Sequence, residues 1–317
     1  MGWVRSTASF RTDFQFTGFA PTIPTVNPSP VDQFDVAALL EASQPQPRIP
    51  WTWYAIGAGI FLAILNRMLA GQSAQIDAAL NAVCAIAMAG VLFTLMAISV
   101  SGVRAVRSQH QRLDAAAEMI QLRRWPEAAM TLRHLLSEPA KTQPFRTQAL
   151  VYFSVILARY DRFDDAIAVQ EHLLDHEQLD PGSAFGLGIG RAMAMLRQDR
   201  LFDADRAISE LRRAPGAGDS GGLALLEIYR DVKTGHPVEA IEIFDKKWKL
   251  LRDQLGHRVG DAWGLIARAH DLLGHEEQAR QAVNNATLLT PPAELLRRYP
   301  ELEKLTGRYT PAPMPAI

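Results

Sequence analysis

Hydrophobic and polar positions change rhythm three times along the sequence. Residues 1–50 show no sustained period and gather prolines in PTIP (21–24), NPSP (27–30) and PQPRIP (45–50). That composition predicts a flexible cytoplasmic tail, in which only VDQFDVAALLEA (31–42) reads as a short helix. Two apolar runs follow, WTWYAIGAGIFLAILNRMLA (51–70) and AALNAVCAIAMAGVLFTLMAISVSGV (78–103), the second without a charge. Each has about the 20 residues a helix needs to cross a hydrocarbon core. The pattern predicts a two-helix transmembrane hairpin with spans of about 51–70 and 78–103. Arg67 sits near the end of the first run, where long side groups snorkel to the interface. Trp51, Trp53 and Tyr54 stand at its other end, as an aromatic belt would.

From Gln109 onward apolar residues recur at three and four, in segments of about 12 to 18 residues separated by short polar breaks, which predicts helices. Five breaks align: RRWPEA (123–128), DRFDDA (161–166), DRLFDA (199–204), GHPVEA (235–240) and GHEEQA (274–279). Each combines a polar turn with Pro or acids suited to the first turn of a helix, where N–H groups are unpaired and the dipole is positive. The break always ends on alanine: Ala128, Ala166, Ala204, Ala240 and Ala279, at spacings of 38, 38, 36 and 39 residues. Twelve positions earlier stand Ala116, Ser154, Ala192, Ile228 and Ala267, so four of the five units carry a small residue there too. A fixed period of this size with two helices per unit predicts a helical solenoid.

The array resembles tetratricopeptide (TPR) repeats, over about 180 of 317 residues. The fifth unit, DAWGLIARAHDLLGHEEQARQAVNNATLLTP, carries the likeness best. Trp263, Ile266, Ala267, Gly274, Ala279, Val283, Ala286 and Pro291 fall at the family's spacing, with His270 where Tyr is usual. The period here is longer than the family's. The resemblance implies an all-α fold, a TPR-like α-solenoid of about five helical hairpins over 109–306. AELLRRYPELEKL (293–305) would cap its last hairpin, and 307–317 would form a flexible tail. It also implies a peptide-binding groove lined by the first helix of each hairpin. Those helices offer Arg159, Arg197 and Lys233 at matching places, with Tyr229 and Arg268 nearby. A basic stripe of that kind suits an acidic segment or the carboxylate at a partner's C-terminus.

Charge places the protein relative to the membrane. Arg48 precedes the first apolar run, Arg104, Arg107 and Arg112 follow the second, and the connection 71–77 has no Lys or Arg. Both termini are expected in the cytoplasm. Small residues four apart (Ala55 and Gly59, Ala85 and Ala89) allow close helix packing and self-association of the hairpin. With 33 basic and 34 acidic residues, no global nucleic-acid footprint is expected. The single Cys84 makes no intramolecular disulfide and no thiolate zinc site by itself.

Two motifs point toward chemistry. PGSAFGLGIGRAMA (181–194) has the glycine density of a phosphate loop, but its spacing is G-x-G-x-G and no strand precedes it. The repeat frame puts it in a helix, with Gly182, Gly186 and Gly190 on one face for close packing. EHLLDHE (171–177) places His172 and His176 at i and i+4, able to hold one metal from a helix face. Its H-x-x-D-H pattern resembles an inverted zinc-peptidase motif, with Asp175 where that motif has Glu and no third ligand. The expected function is a membrane-anchored interaction adaptor with no cofactor and no catalysis, binding an acidic protein segment. A static accessory subunit of a membrane enzyme complex is the alternative, and a metal-dependent hydrolase using His172 and His176 ranks below both.

Overall fold

Each predicted unit has an apolar face it cannot bury alone, and the structure solves this by stacking. A computed structural model describes residues 31–32, 34–45, 51–69 and 74–309, except for several side chains between 51 and 95 and that of residue 257. Among these residues there are fourteen α-helices and no strand. A short helix α1 (Val36–Ala42) precedes α2 (Trp51–Leu69) and the long α3 (Ala74–Gln121). The last part of α3 pairs with α4 (Trp125–Leu136). The next hairpins are α5 (Gln143–Arg159) with α6 (Phe163–His176), and α7 (Pro181–Arg197) with α8 (Leu201–Arg212). Then come α9 (Gly221–Thr234) with α10 (Pro237–Leu255), and α11 (Val259–Leu272) with α12 (Glu276–Leu289). Two short helices, α13 (Pro292–Arg298) and α14 (Glu303–Tyr309), complete the described fold.

The five turns inside the hairpins are built alike. Arg123, Asp161, Asp199, Gly235 and Gly274 all have positive φ, between 59° and 82°. Each left-handed residue lies five before the repeat alanine. In every turn the next N–H reaches back to a carbonyl five residues earlier, as from Arg124 to Met119 and from His275 to His270, at 2.8–3.0 Å. This wrapped bond satisfies carbonyls that the helix end leaves free. Two turns meet the left-handed requirement with glycine and three with Asp or Arg, at a cost of roughly 1–2 kcal/mol per residue. The alanines Ala128, Ala166, Ala204, Ala240 and Ala279 are all at 0 % exposure. Any larger side group there would force the paired helices apart. In the fifth unit Ala267 and Ala286 are buried likewise. Trp263 packs between Phe244 and Trp248, 4.8 and 5.2 Å between ring centres.

The piece of the N-terminal tail predicted as helix joins the solenoid. Val31, Phe34, Val36 and Leu39 are buried in the core of the first two hairpins, and α1 rests on α4 and α6. Arg146 of α5 anchors it. This guanidinium, 4 % exposed, ion-pairs with Glu177 and donates to the Ser43 hydroxyl at 3.2 Å and the Leu40 carbonyl at 3.0 Å. Arg162 donates to the Val31 and Phe34 carbonyls. The segment before α2 and the helix after it are therefore fixed to one body.

Both apolar runs are helical, and α3 runs unbroken from the second run into the first hairpin, where Leu113 and Ala116 are buried. Among the described residues no helix is long and apolar enough to cross a membrane. Trp51, Trp53, Ala55 and Cys84 have side chains outside the described residues. The proline clusters at 21–30 lie outside them altogether, as does most of PQPRIP.

The glycine stretch is helix α7, opened by Asp180, whose carboxylate accepts from the N–H groups of Gly182 and Ser183 at 3.0 Å. The expected packing face needs correction. A methyl at Gly186 would meet nothing, whereas one at Gly188 would stand 2.8 Å from Leu211 of α8. Gly190 faces the flexible end of Gln170. The tight contact lies on Gly188 because α7 turns that side to its own hairpin partner.

Two outcomes follow from this packing. Gly186→Ala should stabilise the fold by roughly 1 kcal/mol, while Gly188→Leu should destabilise it by about 1–3 kcal/mol through overpacking, read as opposite shifts in denaturation midpoint. Arg146→Ala leaves Glu177 buried without its partner and should cost about 3–5 kcal/mol. In hydrogen exchange, α1 should lose its protection, and unchanged protection over 36–42 would refute the anchoring role.

Candidate functional site

The predicted groove lies on the face made by the first helices of the hairpins, and the protein's own C-terminal segment fills most of it. After Pro291 and Pro292 the backbone turns back, and α13 lays its polar side along α5, α7 and α11. Glu294 accepts from both terminal nitrogens of Arg159, at 2.9 and 3.0 Å. Arg297 donates to the Arg159 carbonyl, and Arg197 donates to the Arg297 carbonyl, both at 2.7 Å. Arg298 holds Asp261, a carboxylate at 0 % exposure, at 2.8 Å, and Arg258 reaches the same carboxylate at 3.2 Å. Tyr299 meets Tyr229 edge to face, 5.0 Å between ring centres. Gly264 leaves room for Leu295 and Leu302 beside α11. Only α14 does what a terminal cap was expected to do, burying Leu305 against Ala267, Ala282 and Val283.

The predicted groove residues are each engaged within the protein and do not form an open basic stripe. Arg159 stacks on Trp125 at 5.1 Å and is forked onto Glu294. Arg197 stacks on Phe163 at 4.6 Å and also pairs with Asp161 at 3.2 Å. Lys233 donates to the Leu196 carbonyl and pairs with Asp199 at 2.8 Å. Arg268 pairs with Asp271, which also takes Arg308 of α14. Tyr229, expected at the surface, is fully buried under Tyr299. Burial raises the phenol pKa of both tyrosines well above the usual range, with the Glu301 carboxylate adding to the effect at Tyr229. Both hydroxyls therefore stay neutral and act only as hydrogen-bonding groups.

What remains open is a pocket of about 280 Å³ beside α13. Arg123, Arg159, Arg197, Arg258, Arg297 and Arg298 line it, with Trp125 and Tyr299 among the walls, and Glu294 is the one acid among its described lining residues. Arg123 and Arg258 were not singled out from the sequence. Arg297 and Arg298 were read only as part of a terminal cap; Arg123 belongs to a turn and Arg258 precedes α11, so none of the four shares the register that made Arg159 and Arg197 visible.

The histidine pair is arranged for packing and hydrogen bonding. The rings of His172 and His176 stack, 4.7 Å apart and 18° from parallel. His172 Nε2 lies 3.0 Å from the Arg146 guanidinium, so the ring is an acceptor there. Among the described residues no group of three or more His, Cys, Asp or Glu is placed to hold a metal. Burial, then the nearby Arg146 and His176, hold the His172 pKa below its ordinary value of 6.5.

Compared with protein-family models, with curated proteins and with solved structures, the sequence and fold have no significant match. The class is therefore set by the architecture alone: an all-helical protein built from stacked helical hairpins.

The lowered His172 pKa has a defined sign. The folded form binds fewer protons than the unfolded one below about pH 6.5, so this contribution is complete above that value and is lost as pH falls toward the folded pKa. Denaturation midpoints should drop between pH 7 and pH 5. His172→Gln, which keeps an acceptor for Arg146, should shrink that drop, and an identical pH dependence in the variant would contradict it.

Proposed function

We propose that the protein is a membrane-anchored adaptor whose TPR-like solenoid binds an acidic segment of a partner protein on the first-helix face. One observation carries this reading: Arg159 holds the Glu294 carboxylate in a two-pronged fork, the geometry an acidic ligand would adopt. The protein's own segment thus acts as a model of the ligand and as its competitor. A partner would displace α13 from Arg159 and Arg197, or bind in the pocket beside it.

Membrane anchoring rests on the two apolar runs and on the surroundings of α2 and α3. Tyr54, Ile60, Phe61, Phe93, Met96 and Val103 are each more than half exposed, a pattern that water penalises and lipid does not. Charge returns at Arg104. Helix α1, before α2, and the end of α3, after it, both pack on the solenoid, which suits two spans that start and finish on one side. With the arginine distribution, this supports a cytoplasmic solenoid. Anchoring confines encounter to the membrane surface and raises effective concentration.

The filled groove favours a second reading, a static scaffold in which α13 is simply structural. Co-purification of the full-length protein from its native membranes separates the two. In the adaptor reading, Glu294→Gln frees the Arg159 fork and raises partner recovery severalfold. Arg159→Glu with Arg197→Glu abolishes it while circular dichroism stays helical. Equal recovery of the same partners by both variants, surviving high salt, would leave only the scaffold.

A further inference from the structure

The pocket that α13 leaves open has a charge balance that its own side chains do not resolve. Six arginines line it. Glu294 answers Arg159 and lies 3.7 and 3.9 Å from Arg297 and Arg298, Asp261 answers Arg258 and Arg298, and Asp161 answers Arg197. Three carboxylates thus serve six guanidinium groups. The Arg123 guanidinium has no ion-pair or hydrogen-bond partner among the described residues. Arg123 is exposed, so its guanidinium is open to an incoming anion. The cavity therefore carries an excess of positive charge that an anion would offset.

We propose that this pocket binds a phosphoryl group carried on the partner segment, an inference that rests on the adaptor reading. A carboxylate would bring one charge, and that role is already taken by Glu294. A phosphate brings close to two charges and three acceptor oxygens, matching the positive surplus and the unpaired Arg123 guanidinium. Every basic lining residue is arginine, whose planar fork suits phosphate oxygens, and none is lysine. A volume of about 280 Å³ admits such a group with water around it. The size of the cavity alone is not the cause. A second cavity of about 340 Å³ between α6, α7 and α8 is lined by Arg191, Arg200 and Arg206 against Glu171, Asp203 and Glu210, and its charges cancel.

A lipid headgroup is the weaker source of the phosphate. From Val103 to Gln121, α3 rises about 1.5 Å per residue, so the pocket stands roughly 27 Å beyond the apolar run. That is about three Debye lengths at physiological salt.

The test uses the purified full-length protein in detergent or nanodiscs, titrated at constant ionic strength with inorganic phosphate, O-phospho-L-serine, acetate and L-serine. Saturable binding of phosphate and phosphoserine is expected, with acetate and serine at least tenfold weaker. Arg123→Gln removes a guanidinium with no structural partner and should weaken phosphate binding about tenfold or more. Arg206→Gln, in the balanced cavity, should leave it unchanged. Acetate binding as tightly as phosphate, or equal affinity in wild type and Arg123→Gln, would overturn the proposal. So would preference for phosphatidic acid vesicles over free phosphoserine, in favour of a lipid site. If phosphate fails while Glu294→Gln still raises partner recovery, the adaptor reading stands and only this inference falls.

Discussion

No hairpin in this protein can bury its apolar face alone, and the stack exists because five of them share that burden. Two requirements make the sharing geometrically repeatable. A left-handed residue wraps each turn, and an alanine five positions later, at zero exposure, lets the paired helices touch. Both recur at the same spacing, so each hairpin presents an equivalent surface to the next. Unit four keeps the turn and the alanine while carrying Ile228 where the others have a small residue, which indicates that these two features are the minimum the stack demands.

Stacking equivalent units has an electrostatic consequence. It brings the ends of successive first helices together and with them Arg159, Arg197 and Lys233. A face of that sign is destabilised by its own repulsion unless acids join it. Asp161 and Asp199, from the turns, supply part of the compensation at the surface. Glu294 and the polar backbone of α13 supply it in the interior. The C-terminal segment is thus held by the charges that the stacking gathers. Beside α13 the compensation is incomplete, and there the arginine pocket lies.

A different constraint joins the solenoid to the apolar hairpin. Helix α3 belongs to both, so no flexible linker separates them, and Arg146 with Arg162 ties the preceding segment to the second hairpin. Buried and paired in this way, Arg146 adds little net stability but is costly to lose, because Glu177 would remain desolvated without its opposite charge. The elements on either side of α2 are thus both held by the solenoid.

Helix type, the five-unit period, the repeat alanines and the helical nature of the glycine stretch were all legible in the sequence, because they depend on local spacing and on residue size. The sequence alone also showed which arginines share a register. It did not show that Tyr229 is buried, that Gly188 rather than Gly186 makes the tight contact, or that residues 293–302 return across four hairpins. Those depend on which side each helix turns to its neighbours and on contacts spanning more than a hundred residues, such as Arg159 with Glu294. Arg123 entered the candidate site for the same reason, since a turn residue has no periodic face and only the folded stack places it in the same pocket as Arg297. Local spacing determined the elements and their repeat; the tertiary structure decided which charges meet, because like charges gathered by stacking must find partners wherever the fold supplies them.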